Sequence, residues 1–192
     1  MLLYIHGFES SPQSAKIIEL QRFVATKQLS LTVIAEQQPA TMAAQRAAID
    51  KVLSEQPISA VMGSSLGGFW SHYAVSRLHA LGRTHARAVI INPAVQPYQW
   101  MPTELQQRQH PYTGEHYHLG PADSLVLQQA EQQFLPSVEL LVLLQSGDET
   151  LDYRLAAKYY QQQRMIIEQG GDHSFQGFVR YLPAALEFLH VL

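Results

Sequence analysis

The residues ISAVMGSSLGGFW, at positions 58–70, place a glycine-rich turn between two regular patterns. The run at 58–62 is largely apolar, and the pattern at 66–81 repeats apolar side chains at helical spacing. A strand that enters a helix through the sequence G-x-S-x-G forms a sharp bend that exposes the central serine. The stretch therefore predicts a strand–turn–helix unit within an α/β sheet.

The positions of the glycines decide which of the two serines stands at the bend. Ser65 has Gly63 two positions before it and Gly67 two positions after it, whereas Ser64 has neither. The bend crowds the backbone, so we expect any side chain at either glycine position to clash. Ser65 is thus the candidate nucleophile, and Ser64 is expected to pack beside it. The competing interpretation is an ordinary turn in which a serine caps the helix.

Apolar and amphipathic runs alternate along the chain. Strand-like runs lie at 2–5, 31–35, 58–62, 87–92, 138–144 and 164–168, and helical patterns lie at 14–28, 42–54, 66–81, 151–162 and 175–189. Several strand runs are apolar throughout, which is typical of parallel strands covered on both faces. The alternation predicts one α/β domain over residues 1–192, with a mostly parallel sheet of about six strands and helices on both faces. Pro183 is expected to kink the last helical pattern or to open a second short helix.

Residues 93–121 break this rhythm, because they are rich in proline and show little periodicity. A connection of this length inside a compact domain is usually functional. We predict a lid-like insertion or pocket wall here. His110, His116 and His118 fall in this segment, but their spacing matches no zinc signature, and no metal site is expected.

A serine hydroxyl needs a general base to become nucleophilic, and the base needs a carboxylate to orient it. In enzymes with this kind of bend, the acid and then the histidine follow the serine along the chain. Asp148 stands just past the strand-like run 138–144, and His173 stands just past the run 164–168. The sequence therefore predicts a catalytic triad of Ser65, Asp148 and His173.

Two other aspartates compete for the role of the acid. Asp152 precedes a helical pattern and is better explained as the residue that starts that helix. Asp172 is the direct neighbour of His173, and adjacent residues rarely point so that one orients the other's ring. It is expected to be a turn or cap residue. His173 has an alternative of its own, as a polar residue at the start of the last helix.

Acyl transfer also requires two N–H donors for the oxyanion that forms on the substrate. The first expected donor is the backbone amide of Leu66, which follows the serine. The second is the amide of Phe8, in the loop that comes directly after the first strand. Gly7 allows the backbone of this loop to approach the substrate, and His6 is expected to support the loop as a buried, hydrogen-bonded side chain.

Composition excludes several other classes of protein. The chain has no cysteine, which removes disulfides, thiolate metal sites and a cysteine nucleophile. Its formal net charge is −3 and no block of Lys and Arg stands out, so nucleic-acid binding is not expected. No apolar run approaches the length of about 20 residues that is needed to cross a bilayer. The first residues, MLLYIHG, lack the basic region of a signal peptide. We expect a cytoplasmic protein that binds no membrane, and nothing in the sequence specifies an oligomeric state.

Five segments, in this order, resemble the YqiA-like esterase family of small bacterial α/β-hydrolase proteins. They are LLYIHGFESSPQSAK at 2–16, GSSLGGFW at 63–70, NPAVQP at 92–97, SGDETLDYR at 146–154 and GGDHSFQGF at 170–178. The resemblance implies an α/β-hydrolase fold trimmed at its N-terminus, esterase activity, and a triad that falls on Ser65, Asp148 and His173.

The motifs and the resemblance together lead to one expected activity and two alternatives. The expected activity is hydrolysis of carboxylic esters of small or medium acyl chains through an acyl-enzyme, with no cofactor. The expected partner is therefore a small-molecule ester or thioester. The alternatives are an acyl thioesterase with the same triad, and a non-catalytic binding protein that retains the hydrolase pocket.

Overall fold

The computed structural model describes residues 1–192, and a six-stranded parallel sheet lies at its centre. The strands in chain order are β1 Leu2–Ile5, β2 Val33–Ile34, β3 Ala60–Ser64, β4 Arg87–Ile91, β5 Gln106–Gln109, β6 His116–Leu119, β7 Leu140–Gln145 and β8 Arg164–Glu168. The central sheet has the order β2-β1-β3-β4-β7-β8, and every neighbouring pair in it is parallel. The prediction of a mostly parallel sheet of about six strands is confirmed.

Six α-helices connect and cover these strands. They are α1 Ala15–Thr26, α2 Met42–Glu55, α3 Leu66–Ala80, α4 Pro121–Glu131, α5 Tyr153–Tyr159 and α6 Leu182–Phe188. The last helical pattern divides into a 3₁₀ helix at Phe178–Tyr181 and α6. Pro183 lies in the first turn of α6, where its missing N–H removes no helical hydrogen bond, so it opens this second short helix. Helix α4 has no counterpart among the predicted elements, because Leu127 and Ala130 are its only buried apolar residues. None of the helices combines the length and the apolar character needed to cross a membrane.

Two apolar clusters cover the two faces of the sheet. The side chains of β1 alternate between them, because successive residues of a strand point to opposite faces. Leu2 and Tyr4 join the cluster that contains the buried residues of α1 and α6. Leu3 and Ile5 join the cluster that contains the buried residues of α2 and α3. The predicted helices on both faces are therefore confirmed, and the sheet is buried on both sides.

Residues 93–121 fold into a short 3₁₀ helix at Pro97–Trp100 and an antiparallel hairpin of β5 and β6. The hairpin forms a small sheet of its own. Tyr117 and Leu119 on β6 are buried in the cluster of α2 and α3 and so attach the hairpin to that layer. The sequence did not reveal the hairpin because β5 reads QQRQ, which has no apolar alternation.

The carboxyl ends of the parallel strands meet at one edge of the sheet, where active groups of open α/β sheets collect. The loops that leave β1, β3, β4, β7 and β8 at this edge carry the residues that sequence analysis singled out. The fold therefore brings distant parts of the chain to one place.

Candidate active site

Ser65 forms the bend between β3 and α3, and its backbone is strained. Its φ of 56° and ψ of −126° lie in a region of backbone conformation that residues other than glycine rarely adopt. The Ser65 amide donates to the carbonyl of Ile91, and the Ser65 carbonyl accepts from the amide of Ala94, both at 3.0 Å. Ser64 is buried and its Oγ accepts from the Tyr4 hydroxyl at 3.4 Å, whereas Ser65 is partly exposed. The bend thus presents Ser65 and not Ser64.

The glycines beside the serine are required by close packing. A Cβ on Gly63 would overlap the carbonyl oxygen of Gly67. A Cβ on Gly67 would overlap the carbonyl oxygen of Ile5 and would lie 2.6 Å from that of His6. The clash expected at these two positions is confirmed: at Gly63 it comes from the first turns of α3, and at Gly67 from the end of β1. A Cβ on Gly7 would lie 3.3 Å from the Cβ of Ser65, so the loop after β1 packs on the bend.

The structure brings Ser65, His173 and Asp148 together in one chain of hydrogen bonds. His173 Nε2 lies 3.2 Å from Ser65 Oγ, and His173 Nδ1 lies 2.9 Å from Asp148 Oδ2. The Asp148 side chain is only 1% exposed, and its Oδ1 accepts from the amides of Thr150 at 2.9 Å and Leu151 at 2.8 Å. With Nδ1–H donated to Asp148, Nε2 is free to accept a hydrogen bond from the Ser65 hydroxyl.

The two competing aspartates are engaged elsewhere. Asp152 caps α5, and its carboxylate accepts from the amide of Arg154 at 3.0 Å, as expected for a residue that starts a helix. The carboxylate of Asp172 accepts from the side chain of Gln176. Neither carboxylate contacts the imidazole of His173, which leaves Asp148 as the group that orients the ring.

Two backbone amides are available for an oxyanion beside Ser65. Leu66 is the first residue of α3, so its N–H has no partner within the helix. The N–H of Phe8 donates to no acceptor in the protein. Both residues line the same cavity as Ser65. Two free donors next to a hydroxyl suit the charge that develops when the hydroxyl attacks a carbonyl.

His6 lies beneath the loop that carries Phe8. It is 3% exposed, its Nδ1 donates to the carbonyl of Gly7 at 2.9 Å, and its Nε2 accepts from the amide of Gln38 at 3.0 Å. Burial lowers the pKa of His6 below its usual value and keeps the ring neutral. Its hydrogen bonds shape the loop and do not reach Ser65.

Two polar residues that sequence analysis missed hold the loop of His173. Asn92 directly follows β4, and its Nδ2 donates to the carbonyls of Asp172 at 3.0 Å and His173 at 3.2 Å. Its Oδ1 accepts from the amide of Gln145 at 3.0 Å. The buried side chain of Gln145 bonds both the amide and the carbonyl of Gln176, at 2.7 and 2.8 Å. The sequence offers one signal for these two residues, because each is a polar residue at the end of an apolar run.

A second group of polar residues links the hairpin to the loop of Phe8. Glu9 follows Phe8 with a φ of 49°. Its carboxylate accepts from Arg108 at 3.0 and 3.1 Å and from the Tyr117 hydroxyl at 2.6 Å. Partial burial opposes ionisation of Glu9, but the hydrogen bonds from Tyr117 and Arg108 outweigh it and lower the pKa of Glu9. These three residues, the Glu9 cluster, fix the residue next to a candidate oxyanion donor.

The three histidines of residues 93–121 do not come together. His110 is buried, and its Nδ1 accepts from the amides of Tyr112 at 3.2 Å and Thr113 at 3.3 Å. His116 and His118 are exposed on β6. No group of three His, Asp or Glu side chains is placed to hold a metal ion.

Two cavities meet at Ser65 and His173. The larger, called the apolar cavity, has a volume of about 500 Å³. Apolar side chains that line it include Phe8, Leu66, Trp100, Met101, Leu119 and Leu151. Part of this wall comes from residues 93–121, the segment predicted to cover or wall a pocket. The smaller cavity, of about 350 Å³, is lined mainly by polar residues.

The sheet, the bend at Ser65 and the order of the three polar residues define a protein of the α/β-hydrolase fold. The chain belongs to the uncharacterised protein family UPF0227, the YqiA family, whose model matches residues 1–190. The resemblance to the YqiA family is thereby confirmed.

Solved structures of α/β-hydrolases are similar to this chain over most of its length. Est1E from Butyrivibrio proteoclasticus is 15% identical, with a TM-score of 0.67 over 98% of this chain and 86% of its own. The esterase domain of a Rhodothermus marinus protein is 16% identical, with a TM-score of 0.69 over 97% and 85%. Alpha/beta hydrolase domain-containing protein 10 from mouse is 16% identical, with a TM-score of 0.66 over 98% and 88%. At such low identity, these similarities establish the α/β-hydrolase fold.

Removing the amide of Asn92 should loosen the His173 loop. In Asn92→Ala, two carbonyls and the amide of Gln145 lose their partner, and we expect a loss of about 1–3 kcal/mol in the free energy of unfolding. Urea unfolding gives this energy, and hydrogen exchange should rise over 172–176. Gln161→Ala, at an exposed amide, is the control and should stay within about 0.5 kcal/mol. An Asn92→Ala protein with the stability and exchange of the wild type would contradict this role.

Proposed function

We propose that this protein is a serine esterase that hydrolyses carboxylic esters of small or medium acyl chains. The observation that carries the proposal is the 3.2 Å contact between Ser65 Oγ and His173 Nε2, with the buried Asp148 on the other ring nitrogen. A base placed in this way takes the proton that a serine must lose to attack a carbonyl. Esterases among the structures of the same fold support the same activity.

The first half of the proposed reaction forms an acyl-enzyme. Ser65 Oγ attacks the carbonyl carbon of the ester, and His173 Nε2 takes the hydroxyl proton. The amides of Leu66 and Phe8 bind the oxyanion. When the tetrahedral intermediate collapses, the bond to the leaving alcohol breaks and His173 protonates that alcohol.

The second half releases the acid. Water attacks the acyl carbon, and His173 takes one of its protons. The bond to Ser65 Oγ then breaks, and His173 returns the proton to the serine. Asp148 stays ionised through both halves and holds the Nδ1–H tautomer. Neither half requires a cofactor.

The apolar cavity supports an acyl group of limited size. Its volume of about 500 Å³ and its aromatic and aliphatic walls suit an apolar chain or ring that enters next to Ser65. An acyl thioester could occupy the same place and react by the same steps, with a thiolate as the leaving group. A panel of nitrophenyl esters and acyl thioesters of graded length measures which of the two is preferred.

Replacing the nucleophile should abolish ester hydrolysis. We expect Ser65→Ala to lower kcat by about 10⁴–10⁶, because the acyl-enzyme can no longer form. Ser54→Ala is the control: this exposed serine of α2 donates to the carbonyl of Lys51, and the activity should stay that of the wild type. Steady-state rates on the nitrophenyl esters provide the measurement. A Ser65→Ala enzyme within about tenfold of the wild type would overturn the assignment.

Weakening the Glu9 cluster should impair the oxyanion site without closing the pocket. In Glu9→Gln, the charge that holds Arg108 is lost, and the neighbouring Phe8 amide is less firmly placed. We expect kcat to fall about 10- to 100-fold with a much smaller change in KM, since the oxyanion exists only in the transition state.

Two further variants sharpen this test. Tyr117→Phe removes one hydrogen bond of the cluster and should give a smaller fall in kcat in the same direction. Glu55→Gln, at the exposed end of α2, should leave both constants unchanged. A fall confined to KM, or no change in Glu9→Gln, would show that the cluster does not position the oxyanion donor.

A further inference from the structure

The smaller cavity at Ser65, called the polar cavity, differs in chemistry from the apolar one. The polar residues that line it are Ser10, Ser14, Lys16, Ser64, Ser65, Tyr112, His173 and Ser174. No carboxylate lines it. Ser65, Phe8 and His173 border both cavities. A substrate held at Ser65 can therefore extend into two chemically different spaces.

Lys16 is the one cation of the polar cavity, and it has no ion-pair partner. It is partly buried, and its Nζ donates to the carbonyl of Ser174 at 2.7 Å. Glu19, Asp172 and Asp148 attract the charge, but none of them forms a salt bridge with it. An ammonium group carries three donors, and only one has a protein acceptor. Partial burial removes some of the water around this charge, and the protein supplies no anion in contact with it.

A second polar group on the same wall also lacks a partner. The Oγ of Ser14 is inaccessible to solvent and makes no hydrogen bond, and it does not cap α1, which it precedes. Because this oxygen is inaccessible to solvent, a ligand in the cavity does not contact it. Lys16 is therefore the group on this wall whose free donors are available to a ligand.

We propose that the polar cavity binds an anionic oxygen group of the substrate, a carboxylate or a phosphate, through the Lys16 ammonium. The substrate is then an ester with an apolar part in the apolar cavity and an anionic group in the polar cavity. The inference rests on the proposed esterase activity and adds the substrate class. Lys16 acts as a specificity-determining residue and takes no part in bond making or breaking.

The unpaired charge of Lys16 allows the polar cavity to discriminate between anionic and neutral substrates. A neutral group of the same shape leaves the Lys16 ammonium without a counter-charge, whereas an anion satisfies its free donors. A site built to pair with a substrate group rejects the analogue that lacks it, because its own polar groups then stay unpaired. The preference should therefore appear as a ratio of kcat/KM between matched anionic and neutral esters.

The test uses matched esters that place the anion on either side of the scissile bond. The alcohol arm compares the butyrate esters of 4-hydroxybenzoate, of 4-hydroxyphenyl phosphate and of neutral 4-hydroxybenzamide. The acyl arm compares two nitrophenyl esters. The mono-ester of glutaric acid carries a free carboxylate, and the ester of glutaramic acid carries a neutral carboxamide in its place. We expect the wild type to prefer at least one anionic ester over its neutral match by about 10- to 100-fold in kcat/KM. The two anions of the alcohol arm separate carboxylate from phosphate recognition.

The variants assign any preference to Lys16. Lys16→Gln should remove the preference while the neutral esters are still hydrolysed, and Lys16→Arg should keep part of it. Lys51→Gln, at an exposed lysine of α2, is the matched control and should keep the wild-type ratio.

Two results would overturn the inference alone. One is a wild type that hydrolyses the neutral esters and prefers no anionic ester, and the other is a Lys16→Gln variant that keeps the wild-type ratio. A protein that cleaves none of the esters, neutral or anionic, would contradict the proposed esterase activity and this inference with it.

Discussion

The close approach of two backbone segments at Gly67 is the constraint on which the site depends. A side chain at Gly67 would overlap the carbonyl oxygen of Ile5, so only glycine lets the start of α3 pack against the end of β1. This contact holds the strained backbone of Ser65 and places its hydroxyl at the sheet edge. It also brings the amide of Leu66 and the amide of Phe8 to the same cavity. Without the contact, the nucleophile and its oxyanion donors would separate.

Sequence alone predicted the parts of this arrangement that are encoded locally. The glycines around Ser65 identify the bend, because a steric requirement of the backbone shows directly in residue type. Apolar runs mark the buried parallel strands, and their ends locate Asp148 and His173 at one edge of the sheet. Hydrogen bonding now explains why Asp152 is not the acid, since its carboxylate caps α5. The position of Asp152 before a helical pattern already predicts that it caps the helix.

Contacts between distant residues with weak local patterns were not predicted. In the hairpin of β5 and β6, only the four residues of β6 alternate between polar and apolar, and β5 is polar throughout, so the pattern is too short to identify the hairpin. The pairing of Arg108 with Glu9 spans 99 positions in the chain, and it exists only because the hairpin packs beside the first loop. Asn92 and Gln145 act through backbone groups of the His173 loop, and single-residue patterns do not reveal such partners.

Covalent labelling measures whether His173 activates Ser65 as a nucleophile. A fluorophosphonate reacts with an activated serine and leaves an adduct that peptide mass spectrometry locates. We expect one adduct per chain, on Ser65, and a labelling rate that falls about 10²-fold or more in His173→Ala. A wild-type protein that forms no adduct, an adduct on another serine, or an unchanged rate in His173→Ala would contradict this activation.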